Sequence, residues 1–201
     1  MIFETLSFLS LEVDKFLSLK LGVPLEPPRL KIGNVARALD NSLTGGVSLD
    51  GKAILTLVNV EEDRVIKQQE NFVKSDSKTI YKNPPLYLNL YVLFSINATD
   101  KPDYQESLKW LGYILQFFQH QNVFTSVTHP TLDAKVHKLV VDLFTLSFEQ
   151  LNHLWSTMGG KYLPSVMYKV RQVIIDEDAT TSEAGFIREI QINEKIKSAV
   201  S

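Results

Sequence analysis

The chain contains no cysteine among its 201 residues. That excludes disulfides, thiolate metal sites and thiol nucleophiles together, and it suits a reducing compartment. Histidine is scarce: His120, His129, His137 and His153 are the only four. No two are spaced to put both imidazoles on one helix face, so each reads as a surface or hydrogen-bonded histidine rather than a ligand. Neither sign of charge dominates, with 21 Lys and Arg against 23 acidic residues and a net charge of −2. The isoelectric point is near 6.1, and this balance argues against a nucleic-acid partner. No apolar run approaches the roughly 20 residues of a membrane span. The apolar N-terminus, MIFETLSFLSLEVDKF, has no basic region, carries Glu4, Glu12 and Asp14, and lacks a small-residue cleavage site. It does not read as a signal peptide, so the expectation is a soluble chain working in the cytoplasm.

Catalytic signatures are missing too. Gly160-Lys161 fails as a phosphate loop, because Trp155 stands where the first glycine is needed and Tyr162 where Ser or Thr should follow. No G-x-S-x-G elbow activates a serine. The expectation is a chain that is not an enzyme and needs no cofactor or metal.

What is present is 44% hydrophobic residues, enough for one sizeable core. The stretch Lys82–Asn97, KNPPLYLNLYVLFSIN, organises it. After Pro84-Pro85 an apolar comb runs through Leu86, Leu88, Leu90, Val92, Phe94 and Ile96, while the alternate face carries Tyr87, Asn89, Tyr91, Leu93, Ser95 and Asn97. Period 2 over this length predicts the central strand of an antiparallel sheet, with a helix packed on its apolar side. Residues 3–21 read as an amphipathic helix ended by Gly22, its stripe destined for the chain's own core or for a neighbouring subunit. Leu30, Ile32 and Val35 suggest a short strand, residues 36–51 a turn-rich stretch, and 53–60 a buried strand. Residues 64–69 suit a hairpin partner or a helical turn, and 71–81 a polar surface loop.

Pro102 to Gln119 reads as a long helix capped by Asp100 or Asp103, with Tyr104, Leu108, Leu111, Leu115 and Phe118 as its buried stripe, widened by Trp110 and Ile114. Residues 122–133 read as a connection. Val136–Phe144 is a strand with Leu139, Val141 and Leu143 on one face. Ser147 and Gln150 have the spacing of a capping box, opening a helix through Trp155 that ends at Gly159-Gly160. Pro164–Ile175 is the last core strand; its alternation is weak, because Met167, Lys169, Arg171 and Val173 share a face. The fold class is α+β, a mostly antiparallel sheet with a long helix on one face. Residues 1–175 are expected to form a single domain, and 176–201 a flexible arm that begins with a polar linker over 176–185.

Ordered blocks of the chain resemble one family. They are Leu57-Val-Asn-Val-Glu-Glu62, Asn83-Pro-Pro-Leu-Tyr-Leu-Asn-Leu-Tyr-Val-Leu-Phe94, and Tyr104 through Gln119. Leu146-Ser-Phe-Glu-Gln-Leu-Asn-His-Leu-Trp155 and Gly160-Lys-Tyr-Leu-Pro-Ser-Val-Met-Tyr-Lys-Val-Arg171 complete the set. They are similar to the cap, or tube-terminator, proteins of extracellular contractile injection systems, phage-tail-like particles of the antifeeding-prophage and virulence-cassette type. The likeness runs from the first helix to Ile175, apart from 36–50 and 71–80. It implies a tail-terminator-like fold and a non-enzymatic component. It also implies a sixfold ring of this chain on the last layer of the inner tube, partnered by tube protein and sheath protein. The other reading of the residues is a non-catalytic binding module, for which Asn89, Tyr91 and Tyr168 would supply polar groups on an open sheet face.

The tail regains apolar residues after the linker. As an extended chain, Phe186, Ile190 and Ile192 lie on one side; as a helix, Phe186, Ile187 and Ile190 cluster. The strand is preferred, and Phe186, Ile187, Ile190 and Ile192 are the candidate protein-interaction residues. Such a strand on a tether suits an exposed sheet edge of the sheath or of a neighbouring cap subunit.

Overall fold

Ile2–Leu21 forms helix α1, in which apolar residues return every three or four positions: Leu6, Leu9, Val13 and Leu17 are all buried. It stops at Gly22, whose φ of 65° is left-handed, and the N–H groups of Gly22 and Val23 donate to Leu19 and Ser18 carbonyls of the last turn. The computed structural model describes residues 1–38, 51–63, 72–75, 78–82, 85–97, 104–133, 136, 138–175 and 180–185. Beyond α1 come strand β1 (Leu30–Ile32), the short helix α2 (Val35–Ala38), β2 (Lys52–Glu62), β3 (Phe72–Ser75), β4 (Lys78–Lys82) and β5 (Leu86–Asn97). The chain continues through α3 (Tyr104–His120), β6 (Val123–Thr125), β7 (Lys138–Phe144), α4 (Phe148–Thr157), β8 (Ser165–Ile175) and β9 (Thr180–Gly185).

The chain divides into two units, Met1–Ile66 with Leu86–Ile175, and Lys67–Pro85 with Asp176–Ser201. The larger holds a six-stranded sheet in the order β1-β2-β5-β8-β7-β6. All its pairings are antiparallel except β1 with β2. β5 is central, as its alternation requires. Leu90, Val92 and Phe94 are sealed beneath α1 and α3, where Phe94 meets the ring of Phe118 at 5.5 Å and Phe16 of α1 meets Phe117 at 5.4 Å. The opposite face is covered in part by α4, through Trp155 against Ile54, Leu93 and Met167. The capping box that opens α4 is present: Ser147 Oγ accepts from the Gln150 N–H, and Gln150 Oε1 from the Ser147 N–H.

A buried carboxylate fastens α1 to the sheet. Asp14 Oδ1 accepts from the N–H groups of Arg29 (2.6 Å) and Leu30 (2.8 Å), so it holds the entry to β1 in place. Nothing in the local pattern singles out this acidic residue, since its partners lie fifteen and sixteen residues away.

Several expectations are corrected. Val35 leaves β1 and opens α2, where Asn34 Oδ1 accepts from the Ala36 N–H and Thr56 Oγ1 from the Val35 N–H. On helix α3 the expected stripe holds at Ile114 and Phe118 but not at Tyr104, Leu108 and Leu115. Ser107, Ile114, Phe117 and Phe118 are buried, while Tyr104, Leu108 and Leu115 are exposed. Two apolar arcs overlap on this helix, and the pair Phe117–Phe118, filling the space between α1 and the sheet, decides between them. The connection after α3 contains the short strand β6, and Leu143 of β7 is exposed, unlike Leu139 and Val141.

The weak alternation of β8 has a local cause. Leu88 lies opposite Val173 but Leu90 lies opposite Val170, so two residues, Arg171 and Gln172, stand against Asn89 alone. This bulge returns Val173 to the core shared with Tyr168 and Val170, away from Met167 and Lys169. A second bulge in β2 places Leu57 opposite Val92 and Asn59 opposite Tyr91.

In the smaller unit, the described residues form a three-stranded sheet, β3-β4-β9, all antiparallel. The polar loop expected over 71–81 is thus largely the β3–β4 hairpin, and Thr180–Gly185 of the expected linker is a strand. Both are short and polar, and β4 finds its second partner about a hundred residues away in sequence, so main-chain pairing overrides composition. The expected hairpin partner at 64–69 and the caps Asp100 and Asp103 lie outside the described residues.

Candidate assembly surfaces

Asn89, Tyr91 and Tyr168 do not converge. Tyr168 belongs to the core on the α3 side, between Phe94 (5.8 Å) and Phe118 (4.5 Å), and burial pushes its hydroxyl up to about 12. Tyr91 packs instead on the α4 side against Phe144, with ring centroids 5.0 Å apart. Asn89 is buried within the sheet rather than set at the mouth of a pocket.

Tyr91 anchors a small polar network. Its hydroxyl donates to Glu61 Oε2 at 2.7 Å, and Lys169 Nζ donates to the same oxygen at 3.3 Å while lying 5.3 Å from the Tyr91 ring centre. The Tyr91 hydrogen bond and then Lys169 hold the Glu61 carboxyl below the usual carboxylate range. At Lys169 burial pulls the ammonium down, but Tyr91 and Glu61 more than offset it, leaving the group above its ordinary value. Beside the network a groove of about 610 Å³ runs between α4 and the sheet, with Val58, Phe144, Leu154 and Met158 in its apolar lining and Asn59 and His153 as polar members. The groove is open and mostly apolar, and Glu61 and Tyr91 of the network form part of its wall. Among the described residues no three His, Asp or Glu groups cluster to hold a metal, and no helix is long and apolar enough to cross a membrane.

The exposed apolar residues are more telling. On the outer side of α3, Tyr104, Leu108 and Leu115 follow one another at helical spacing, and Leu143 of β7 is 56% exposed. Leu115 and Leu143 flank a cleft of about 580 Å³ whose other walls include Gln119, Asn122, Asp142 and Tyr168. Phe148 at 93% exposed stands at the start of α4. Leu115 and Leu143 thus leave apolar side chains open to solvent around one cleft beside α3.

The sheet edges carry a second signal. β1 pairs with β2 only over Ala53–Leu55, and β6 with β7 only over Lys138–Val140. Among the described residues no strand pairs with the outer side of β2 beyond Leu55, or of β7 beyond the bond from the Val141 N–H to the Asn122 carbonyl. Sequence reasoning missed these edges, because which strand ends at the margin of a sheet is a tertiary outcome. The four residues singled out in the tail, Phe186, Ile187, Ile190 and Ile192, lie outside the described residues.

Comparison with known proteins follows the same direction. Among solved structures, the chain is similar to the sheath/tube terminator of an extracellular contractile injection system, PVC, in the extended state. The TM-score is 0.56 at 12% identity, over 94% of this chain and 64% of that one. It is also similar to the tube-terminating cap of the anti-feeding prophage, with a TM-score of 0.53 at 11% identity over 80% of this chain and 57% of that one. The chain therefore spans less than two thirds of the length of either structure. At these identities the likeness is one of fold, and it agrees with the α+β, mostly antiparallel architecture. No curated protein matches in sequence. A family model, that of the Pvc16 N-terminal domain, matches residues 13–189, from the middle of α1 to beyond β9, and to this family the chain belongs.

Proposed function

We propose that the chain is a structural cap of a contractile injection system, which ends polymerisation of the inner tube and anchors the sheath at that end of the particle. The observation that carries this reading is the family match across residues 13–189, joined to a fold shared with a sheath/tube terminator and a tube-terminating cap. Its partners are then the inner-tube protein, the sheath protein and further copies of itself in a sixfold ring. No reaction and no nucleic acid enter the role, and the chain works in the cytoplasm during assembly before becoming part of the particle. The tail residues Phe186, Ile187, Ile190 and Ile192 are assigned to contact with the sheath or the neighbouring cap subunit, on the strength of their apolar spacing. A ligand-binding module is the weaker reading, because Tyr91 and Tyr168 serve opposite faces of the sheet.

The test is direct. Purified chain is mixed with polymerised tube protein and imaged in negative stain. Ring-shaped density at one end of each tube is expected. Bare ends at saturating chain, or decoration along the tube wall, would overturn the assignment.

A further inference from the structure

The two open edges belong to the same level of the sheet. Leu57 lies opposite Val92, Val92 opposite Tyr168, and Tyr168 opposite Leu143, so one row crosses from the β2 margin to the β7 margin. Val60, Leu90, Val170 and Val141 make the row above it. β1 pairs with β2 only as far as Leu55, with Gly33 and Val35 held by Thr56 beside it, and β6 with β7 only as far as Val140, with Asn122 bonded to Val141; among the described residues no strand lies beside the main chain of Leu57 or Leu143.

Main-chain polarity agrees. Ala53 donates its N–H to the Arg29 carbonyl and the Leu55 carbonyl accepts from the Gly33 N–H, so these residues turn their main-chain groups outward, and Leu57 continues the alternation. On the other margin Val141 donates outward to the Asn122 carbonyl, and Leu143, two residues on, faces the same way. Three successive antiparallel pairings make β7 antiparallel to β2.

We infer that copies of this chain join edge to edge, the β7 margin around Leu143 of one pairing antiparallel with the β2 margin around Leu57 of the next. The inference names the surface for the ring in the proposed cap and rests on that reading. Setting the β7 margin of one copy beside the β2 margin of the next keeps the antiparallel sense and continues the row from Leu143 to Leu57. This is a heterologous contact, in which two different surfaces meet, and it closes into a ring when the rotation between neighbours divides a full turn. Leu143 and Leu57 then exchange two main-chain hydrogen bonds, and their side chains meet on the α3 side of the sheet, which covers the exposed Leu143. Open edges in monomers are usually blunted by charge or proline. Here the row instead ends in leucine on both margins, and the β7 margin adjoins the apolar residues of α3.

The absence of cysteine makes the test clean. Directly opposed residues in such a pair lie about 5.5 Å apart between Cα atoms, within disulfide range. The double variant Leu57→Cys/Leu143→Cys is assembled on tubes, oxidised, and run without reductant. A ladder of multiples of 22.8 kDa is expected, with no ladder from either single variant. In parallel, Leu143→Pro removes only an outward N–H and leaves the bonds to β8 intact, so a folded chain that forms no ring is expected. Caps imaged at tube ends while the double variant stays at monomer mass would overturn this surface and leave the cap reading standing. Efficient dimers from Leu143→Cys alone would overturn it too, since they mean that like margins meet. If wild-type chain forms no cap at all, the cap reading fails first and this surface with it.

Discussion

Replacing Asp14 isolates a single interaction that ties helix to sheet. The side chain is 6% exposed, and its Oδ1 accepts two main-chain hydrogen bonds, from Arg29 and Leu30. Asp14→Ala leaves both donors without a partner. Leu30 is fully enclosed, so its N–H bears the full penalty of a buried unsatisfied donor, about 1–3 kcal/mol. Arg29 is only half-buried, so its share is smaller. The sum is about 2–4 kcal/mol, a large part of the ~5–15 kcal/mol that holds a typical domain together. Asp14→Asn keeps a carbonyl oxygen where Oδ1 sits and weakens the bonds only by loss of charge, at a cost of about 1 kcal/mol. In urea titration followed by circular dichroism, with a slope of about 2–3 kcal/mol per molar, the Ala midpoint falls by about 0.7–2 M and the Asn midpoint by about 0.3–0.5 M. Equal losses in the two variants would show that charge rather than acceptance matters. No loss in either would mean that β1 is not held by α1.

Three further outcomes are expected. Phe94→Ala removes a fully enclosed ring packed between Phe118 and Tyr168 and should cost about 3–5 kcal/mol, read as a lower melting temperature or loss of soluble protein; near-unchanged melting would mean that β5 is not central. Tyr91→Phe removes the main hydrogen bond that depresses the Glu61 carboxyl, so an NMR titration should find that group moved up towards the ordinary carboxylate value. Because the folded-state value is depressed, any stabilisation by Glu61 is present above the ordinary carboxylate pKa and lost as pH falls through the depressed one. Truncation after Gly185 keeps β9 paired with β4 and should leave a folded chain that still caps tubes but no longer anchors sheath; sheathed particles at normal yield would remove the tail residues from that role.

The legible parts of the fold were those where one local pattern has one solution. β5 announced itself through twelve residues of alternation, α1 through a single apolar stripe and its terminal glycine, and α4 through Ser147 and Gln150. Where two local solutions compete, tertiary packing chose. On α3, Phe117 is drawn in by Phe16 of α1, which turns Leu108 and Leu115 outward. In β8 a bulge opposite Asn89 broke a pattern that assumed strict alternation. β3, β4 and β9 were invisible because they are short and polar, and one of their pairings spans about a hundred residues. The assembly surfaces were hidden for a related reason. Leu57 and Leu143 look like ordinary core leucines until the short edge strands β1 and β6 leave the outer sides of β2 and β7 unpaired beside them, among the described residues.

The central claim is that this chain stops tube growth, and tube elongation tests it most directly. Preformed tubes are saturated with the chain and then offered fresh, distinguishably labelled tube protein. New label is expected only at the end that lacks ring density, with none added beyond the ring. Label extending past the chain-bearing end as readily as from bare tubes would contradict termination.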